Sequence, residues 1–182
     1  MFPLILATVL VSLPLVPPQV NSPFTLYEYM RANFTYQDEA EGVDYWQTPE
    51  ETAKLKKGDC EDWAILILSM FREYNPSLNC YGALWETHMS VLCYSDSSFL
   101  IYDQAKTKFK TTLETENMDQ EIVIQENKVA IRSMLNSYFS DYGISPNQRK
   151  LYSLFNEKEL FIFNSTEDFV NWAIKLIQEE NS

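Results

Sequence analysis

The sequence predicts an α+β domain in which helices pack against an antiparallel sheet. Helical patterns dominate residues 24–74, and three short β-rich segments separated by turn residues follow between Cys80 and Gln104. The remainder, residues 121–182, mixes further helical and strand patterns. Runs of helices followed by runs of strands, with no regular alternation of single elements, are typical of this fold class.

Three helices are predicted in the first half of the chain. The first follows Pro23, and its apolar residues recur near helical spacing: Phe24, Tyr27, Met30 and Phe34. The second, within "TPEETAKLKKG", carries helix start and stop signals, which are Thr48 as N-cap, Pro49 at the first position, Glu51 as the capping-box partner and Gly58 past the end. The third runs from Cys60 to Tyr74 and is apolar nearly all round, which predicts a central, buried helix.

The second half of the chain contains the predicted sheet. The segments "CYGALWE", "HMSVLCYS" and "SFLIYDQ" read as an antiparallel meander. Four further elements are predicted after it, namely a weak strand at "EIVI" (residues 121–124), an amphipathic helix over Val129 to Tyr142, a strand at "LFIF" and a closing helix capped by Ser165 or Thr166.

Length and charge limit the classes of function. The 182 residues carry a formal net charge of −12, which argues against binding nucleic acid or docking on anionic lipid through a basic face. We expect a single domain over residues 23–182, preceded by an apolar segment over residues 1–22. The sequence gives no indication of oligomeric state.

The apolar run from Phe2 to Val16 has about the length of a signal-peptide core and is shorter than the ~20 residues of a relaxed membrane-spanning helix. It has no Lys or Arg before it, and "PPQVNS" lacks an A-x-A cleavage pattern. The alternative is an apolar segment packed on its own domain or on a partner. We favour export or membrane tethering through residues 2–16, and hence an extracytoplasmic location.

Three residues have the types needed for nucleophilic catalysis. Cys60 begins a predicted helix, His88, the one histidine of the chain, begins the second meander strand, and Asp103 closes the third. A cysteine, a histidine and an acid in this arrangement can serve as nucleophile, base and the group that orients the base. Acidic neighbours raise the pKa of a thiol, so we expect His88 and the helix dipole to compensate at Cys60.

The acidic residues beside Cys60 have a structural explanation. Asp59, Glu61 and Asp62 fall in the first helical turn, where carboxylates complement the helix dipole, so we assign them no chemical role. A zinc site made of Cys60, His88 and Asp103 would lack a fourth ligand. We therefore expect neither a metal nor a cofactor.

The segments "YWQTPEET", "GDCEDWA", "THMSVL" and "LIYDQ" resemble the transglutaminase-like superfamily, and are most similar to its microbial cysteine-peptidase branch. The resemblance covers about residues 34–104. It implies a papain-like arrangement in which Cys60 is the nucleophile, His88 the general base and acid, and Asp103 the orienting carboxylate. It also implies a peptide or protein substrate, with water or an amine as the acyl acceptor.

Two further assignments concern residues around this core. Trp46 could donate its indole N–H to an oxyanion together with the Cys60 backbone N–H, or it could be an aromatic packing lid; Gln47 is better explained as a surface side chain. A two-residue turn at Glu86 and Thr87 would place Cys80 opposite Cys93, within disulfide reach, with two separate buried thiols as an equal alternative.

The most consistent function is a thiol-dependent acyl-transfer enzyme, either a peptidase or an amidase. Two alternatives remain open: a transglutaminase that crosslinks amides, and a non-catalytic peptide-binding module that keeps the fold.

Overall fold

The structure is a computed structural model that describes residues 14–18, 20–42, 44–85, 88–95, 98–104, 109–112, 120–145 and 151–180. Its helices are α1 (Pro23–Asn33), α2 (Pro49–Leu55), α3 (Cys60–Tyr74), α4 (Gln120–Asp141) and α5 (Thr166–Glu180). Its strands are β1 (Thr35–Tyr36), β2 (Lys57–Gly58), β3 (Asn79–Trp85), β4 (Met89–Ser95), β5 (Ser98–Tyr102), β6 (Phe109–Thr112), β7 (Leu151–Phe155) and β8 (Leu160–Ile162).

An antiparallel sheet forms the centre of the fold. Its strand order is β6-β5-β4-β3-β7-β8, so the chain builds the meander β3-β4-β5-β6 and then adds β7 on the other side of β3. The parallel pair β1-β2 lies apart from it. These elements confirm the α+β class and the meander that the sequence predicts.

Helices cover both faces of the sheet and bury a separate apolar cluster on each. On one face, α1 and α3 pack against alternate residues of β3, β4 and β5, including Met89, Val91 and Cys93. On the other face, α4 and α5 cover the intervening residues, including Leu92 and Tyr94. Burial on both faces explains why β4 is an almost continuous apolar run and why the apolar helix α3 lies at the centre.

Capping signals set the start of α2, as the sequence predicts. The Thr48 side chain accepts from the Glu51 N–H, and the Glu51 side chain accepts from the Thr48 N–H. The end differs from the prediction, because Lys56 closes the helix in a left-handed conformation with φ 54°. Gly58 instead pairs with Tyr36 in the β1-β2 ladder.

Two other local predictions are wrong. Residues 121–124 belong to the first turns of α4, which begins at Gln120, and are not a strand. Phe24 was expected in the core, but it is 46% exposed because α1 turns Leu26, Tyr27 and Met30 inward. In both cases the packing of one helical face on the sheet determines the structure, and the local residue pattern does not.

The described part of the N-terminal segment contacts the domain. Leu15, Val16 and Val20 pack against the α1-α3 cluster, and the N–H groups of Leu15 and Val16 donate to the Glu73 carboxylate at 3.0 and 3.2 Å. The apolar run before residue 14 lies outside the described residues. None of the helices described is long and apolar enough to cross a bilayer.

Cys80 and Cys93 are directly opposite each other on β3 and β4, and they form a disulfide. The bond lies within the apolar cluster on the α3 side of the sheet. Cys60 is the free cysteine.

Candidate active site

The fold brings the three candidate catalytic residues to one end of the sheet. Cys60 is the first residue of α3, His88 directly precedes β4, and Asp103 directly follows β5. Because β4 and β5 are antiparallel, the start of one lies beside the end of the other. His88 and Asp103 therefore lie at the same edge, and Cys60 reaches it through an interaction with the backbone N–H of Met89, the residue after His88.

A short hydrogen bond joins the histidine and the acid. His88 Nε2 lies 2.7 Å from Asp103 Oδ2, and the carboxylate side chain is fully buried while the imidazole is 13% exposed. Burial alone would raise the pKa of Asp103. The hydrogen bond and charge of His88, together with hydrogen bonds from Tyr142 and Tyr138, outweigh burial, so the pKa of Asp103 is lowered. Asp103 engages Nε2, which leaves Nδ1 as the nitrogen that can act on a thiol.

Three tyrosines that the sequence analysis did not select hold Asp103 in place. Tyr138 donates to Oδ2 at 2.7 Å, Tyr142 donates to Oδ1, and Tyr27 donates to the backbone carbonyl. Tyr138 lies in the last turn of α4 and Tyr142 directly follows the helix, four residues further on, a spacing that puts both hydroxyls on the same side. That spacing was the available sequence signal, although nothing local connects it to a carboxylate 35 residues earlier.

The thiol of Cys60 is paired with a neighbouring acid. Its Sγ lies 3.1 Å from Glu61 Oε2, as a donor. Burial, followed by the hydrogen bond to Glu61, raises the pKa of Cys60 to about 12, although the Met89 backbone N–H acts in the opposite direction. The expected compensation by His88 and the helix dipole therefore does not prevail in this structure.

Asp62 fixes the segment that leads into α3. Its side chain is fully buried and accepts from the Gln47 N–H at 2.7 Å and from the Asp59 N–H at 3.3 Å. Gly58 makes this approach possible, because a Cβ at that position would lie 2.5 Å from Asp62 Cβ and Oδ2. Asp62 thus has a structural role beyond the helix dipole.

The other carboxylates near Cys60 repel one another. Burial and the charge of Glu61 raise the pKa of Asp59 to about 7, and one Asp59 oxygen is buried without a hydrogen-bond partner. Oxygens of Glu39, Asp44 and Glu61 lie within 4.8 Å of one another. Carboxylate oxygens are ligands for hard cations, and among the described residues this trio has the spacing to contact one.

Trp46 lies at the surface and does not direct its indole N–H to Cys60. The indole donates to Asp44 Oδ1 at 3.0 Å, so its oxyanion role stays a prediction. The Gln47 side chain accepts from the Thr52 hydroxyl at 3.3 Å. Trp46 also lines a groove of about 760 Å³ along the outer face of α3, and the groove continues past Leu68 to Phe155.

Tyr36 is a second residue near the thiol that the sequence analysis did not select. It is 44% exposed and lies opposite Gly58, two residues before Cys60. Burial, followed by the electrostatic effect of the nearby Cys60 and by interactions with Asp38, raises the pKa of Tyr36. The β1-β2 pair therefore places a phenol beside the start of α3.

Comparisons with known proteins agree with the resemblance in the sequence. The family described as the Transglutaminase-like superfamily matches residues 16–76, a region that contains Cys60 and ends before His88 and Asp103. No curated protein matched the chain.

Solved structures of Legionella pneumophila LapG are among the similar folds. One is 18% identical over 87% of this chain and 78% of its own, with a TM-score of 0.47. An EGTA-treated form is 19% identical over 84% and 75%, with a TM-score of 0.46. A calcium-bound form is 18% identical over 81% and 78%, with a TM-score of 0.42. The family match over residues 16–76 confirms the resemblance to the transglutaminase-like superfamily for that part of the chain.

Proposed function

We propose that this chain is a thiol-dependent acyl-transfer enzyme, and specifically a cysteine peptidase or amidase that uses Cys60, His88 and Asp103. The observation that carries the proposal is the 2.7 Å bond between His88 Nε2 and a fully buried, hydrogen-bonded Asp103 carboxylate. A histidine oriented in this way presents Nδ1 as a base. The Cys60 sulfur interacts with the backbone N–H of Met89, the residue next to that histidine.

The reaction begins when the Cys60 thiol leaves Glu61 and donates its proton to His88 Nδ1. The sulfur attacks an amide carbonyl, and the tetrahedral oxyanion takes hydrogen bonds from N–H groups at the start of α3, which have no partner within the helix. The imidazolium then protonates the leaving amine and a thioester remains. Water gives a proton to His88 as its oxygen attacks the thioester, which releases the acid and restores the thiol.

The shape of the surface favours a polypeptide as substrate. The groove beside α3 begins at Trp46, whose indole N–H donates to Asp44. The Asp44 carboxylate lies close to that of Glu61, which accepts from the Cys60 thiol. The groove is lined mainly by apolar atoms, and of its two cationic residues, Arg72 and Lys158, the first is paired with Glu157 at 3.2 Å. An uncharged, extended segment of a protein substrate fits such a surface better than a small charged molecule does.

The proposed place of action is extracytoplasmic, with residues 2–16 as an export signal or a membrane tether. The Cys80–Cys93 disulfide supports this proposal, because such bonds persist in oxidising compartments and are rare in the cytosol.

The test is hydrolysis of fluorescein-labelled casein by the wild type and by Cys60→Ala, His88→Ala and Asp103→Asn. We expect no turnover with the first two variants. With Asp103→Asn we expect a fall of ~10³–10⁴-fold in rate without loss of binding. Tyr74→Phe is the control, because Tyr74 donates to the Asn21 carbonyl at 2.7 Å, away from the site. If Cys60→Ala retained the turnover of the wild type, the proposal of a thiol-dependent enzyme with Cys60 as its nucleophile would be excluded.

Incorporation of dansylcadaverine into casein is measured in parallel, because it identifies an amine acceptor and hence the transglutaminase alternative. Binding of casein with neither product would identify the non-catalytic module.

A further inference from the structure

We propose that Tyr138 and Tyr142 are positioning residues that fix the proton of His88 on Nε2, so that the end of α4 is part of the catalytic apparatus. The relevance to catalysis rests on the proposed function, whereas the effect on the imidazole does not. Both tyrosines lie outside residues 34–104, the part of the chain that carries the family resemblance.

The geometry accounts for both oxygens of the Asp103 carboxylate. Oδ2 faces His88 Nε2 and the Tyr138 hydroxyl, each at 2.7 Å, and Oδ1 accepts from the Tyr142 hydroxyl. The titratable groups facing this carboxylate are therefore His88, Tyr138 and Tyr142, with Tyr27 on the backbone carbonyl. A carboxylate held by donors on both oxygens cannot rotate away from the imidazole without breaking a bond.

Tyr142 also restrains the imidazole ring itself. The rings of His88 and Tyr142 lie 4.8 Å apart with a tilt of 34°, and the ring of Tyr138 lies 5.1 Å from that of Tyr142. One tyrosine therefore contacts both members of the His88–Asp103 pair. This contact sets the plane in which Nδ1 can reach the thiol.

The direction of each hydrogen bond follows from the protonation of the phenols. Burial, followed by hydrogen bonding to the Asp103 charge, raises the pKa of Tyr142, and burial with that charge raises the pKa of Tyr138 well above its ordinary value. Both phenols therefore keep their protons and donate, which leaves Asp103 ionised as an acceptor. An ionised acceptor requires a proton on Nε2, and a neutral imidazole then carries its lone pair on Nδ1.

A purely structural role is the competing explanation. Tyr138 is fully buried among aromatic residues, and its ring lies 4.9 Å from that of Trp85. Loss of either hydroxyl would then lower thermal stability and leave the imidazole unchanged. A readout of the imidazole proton distinguishes the two roles.

The test uses the fact that the chain has one histidine, so the ¹⁵N signals of a histidine-labelled sample belong to His88 without further assignment. In the wild type at pH 8 we expect nearly all of the neutral imidazole to carry its proton on Nε2. In Tyr142→Phe and in the double variant with Tyr138→Phe, we expect a measurable population with the proton on Nδ1. Tyr74→Phe, which removes a hydroxyl elsewhere, should match the wild type.

An unchanged tautomer in folded Tyr142→Phe would overturn the proposal, whatever its melting temperature. Should the double variant not fold, the single variant decides, because Tyr142 is partly exposed. With casein as substrate, we expect Tyr142→Phe to lower kcat about tenfold or more with little change in KM. A tautomer shift in a protein whose wild type lacks turnover would support the positioning role and remove the proposed function.

Discussion

Glu61 Oε2 lies 3.1 Å from the Sγ of Cys60, and this contact makes a carboxylate, not the imidazole, the partner of the candidate nucleophile. The contact helps to keep the thiol protonated, with a pKa raised to about 12 by burial and by Glu61. Catalysis by Cys60 would therefore require the thiol to exchange this partner for His88. Substrate binding, which displaces water and moves side chains at the helix start, is the event that could drive the exchange.

Replacing Glu61 with Gln should increase the reactivity of Cys60. The change removes the negative charge that disfavours the thiolate, so the Cys60 pKa falls and alkylation becomes faster at a given pH. The measurement is the rate of iodoacetamide labelling at pH 8.5 by intact mass, in EGTA so that no cation occupies the carboxylates. Glu50→Gln, an exposed change in α2, is the control. Equal rates for the wild type and Glu61→Gln would contradict this explanation.

Asp59→Asn should stabilise the protein in a pH-dependent manner. The pKa of Asp59 in the folded chain is about 7, above the ~3.9 of an unfolded chain, so ionisation penalises folding. The penalty develops as the pH rises from about 4 to about 7 and is constant above that. Asn is also an equivalent N-cap residue.

Urea unfolding at pH 3.5 and at pH 8 measures the effect of Asp59→Asn. We expect equal stability of variant and wild type at pH 3.5, and a higher free energy of unfolding for the variant at pH 8. The control is Asp141→Asn, an exposed position at the end of α4. A stability difference that does not change with pH would show that the charge of Asp59 is not the cause.

The sequence was sufficient to predict the elements whose signals are local. The capping box at Thr48 and the β3-β4-β5 meander follow from neighbouring residues, and both are present. Residues 121–124 were predicted as a strand because their β-branched side chains favour that conformation locally, but they lie in α4. The helix forms instead because Ile131, Met134 and Tyr138 further along α4 pack on the sheet at helical spacing.

The candidate site was only partly predictable for a related reason. Cys60, His88 and Asp103 have chemically distinctive side chains, and family resemblance links them. Tyr142 interacts with Asp103 from 39 residues away, across a connection whose path no local signal specifies. The hydrogen-bond partner of the Cys60 thiol could not be predicted either. Side-chain rotamers at the start of the helix decide whether the thiol contacts Glu61 or His88, and the sequence does not specify those rotamers.

Gly58→Ala should destabilise the fold by about 1–3 kcal/mol, the usual range for overpacking. The added Cβ would lie 2.5 Å from Asp62, whose buried carboxylate holds the backbone of Gln47 and Asp59. Chemical unfolding measures the loss, with Lys57→Ala, an exposed change in the same short strand, as control. Casein hydrolysis should fall as well, because the start of α3 must shift. A variant as stable as the wild type would mean that the start of α3, which carries Asp62, can move away from residue 58 at little cost.

Trp46→Ala should weaken the use of long substrates more than short ones. Trp46 is 46% exposed and lines the groove, so its loss removes contact area with little effect on the core. We expect a higher KM for casein and an unchanged rate with a small activated ester that reaches Cys60 alone. Leu55→Ala, which trims an exposed apolar side chain outside the groove, is the control. An equal loss with both substrates would instead favour a role for the indole at the oxyanion.

Intact-mass analysis of protein from its native source should reveal both the fate of the N-terminus and the redox state. Cleavage of an export signal gives a chain shorter by about twenty residues, whereas tethering gives the full-length chain in the membrane fraction. The bonds from the Leu15 and Val16 N–H groups to Glu73 would be lost on such a cleavage. The Cys80–Cys93 bond leaves one thiol to alkylate before reduction. Full-length soluble protein with three free thiols would contradict the extracytoplasmic proposal, and the chemistry proposed for Cys60, His88 and Asp103 would be unaffected.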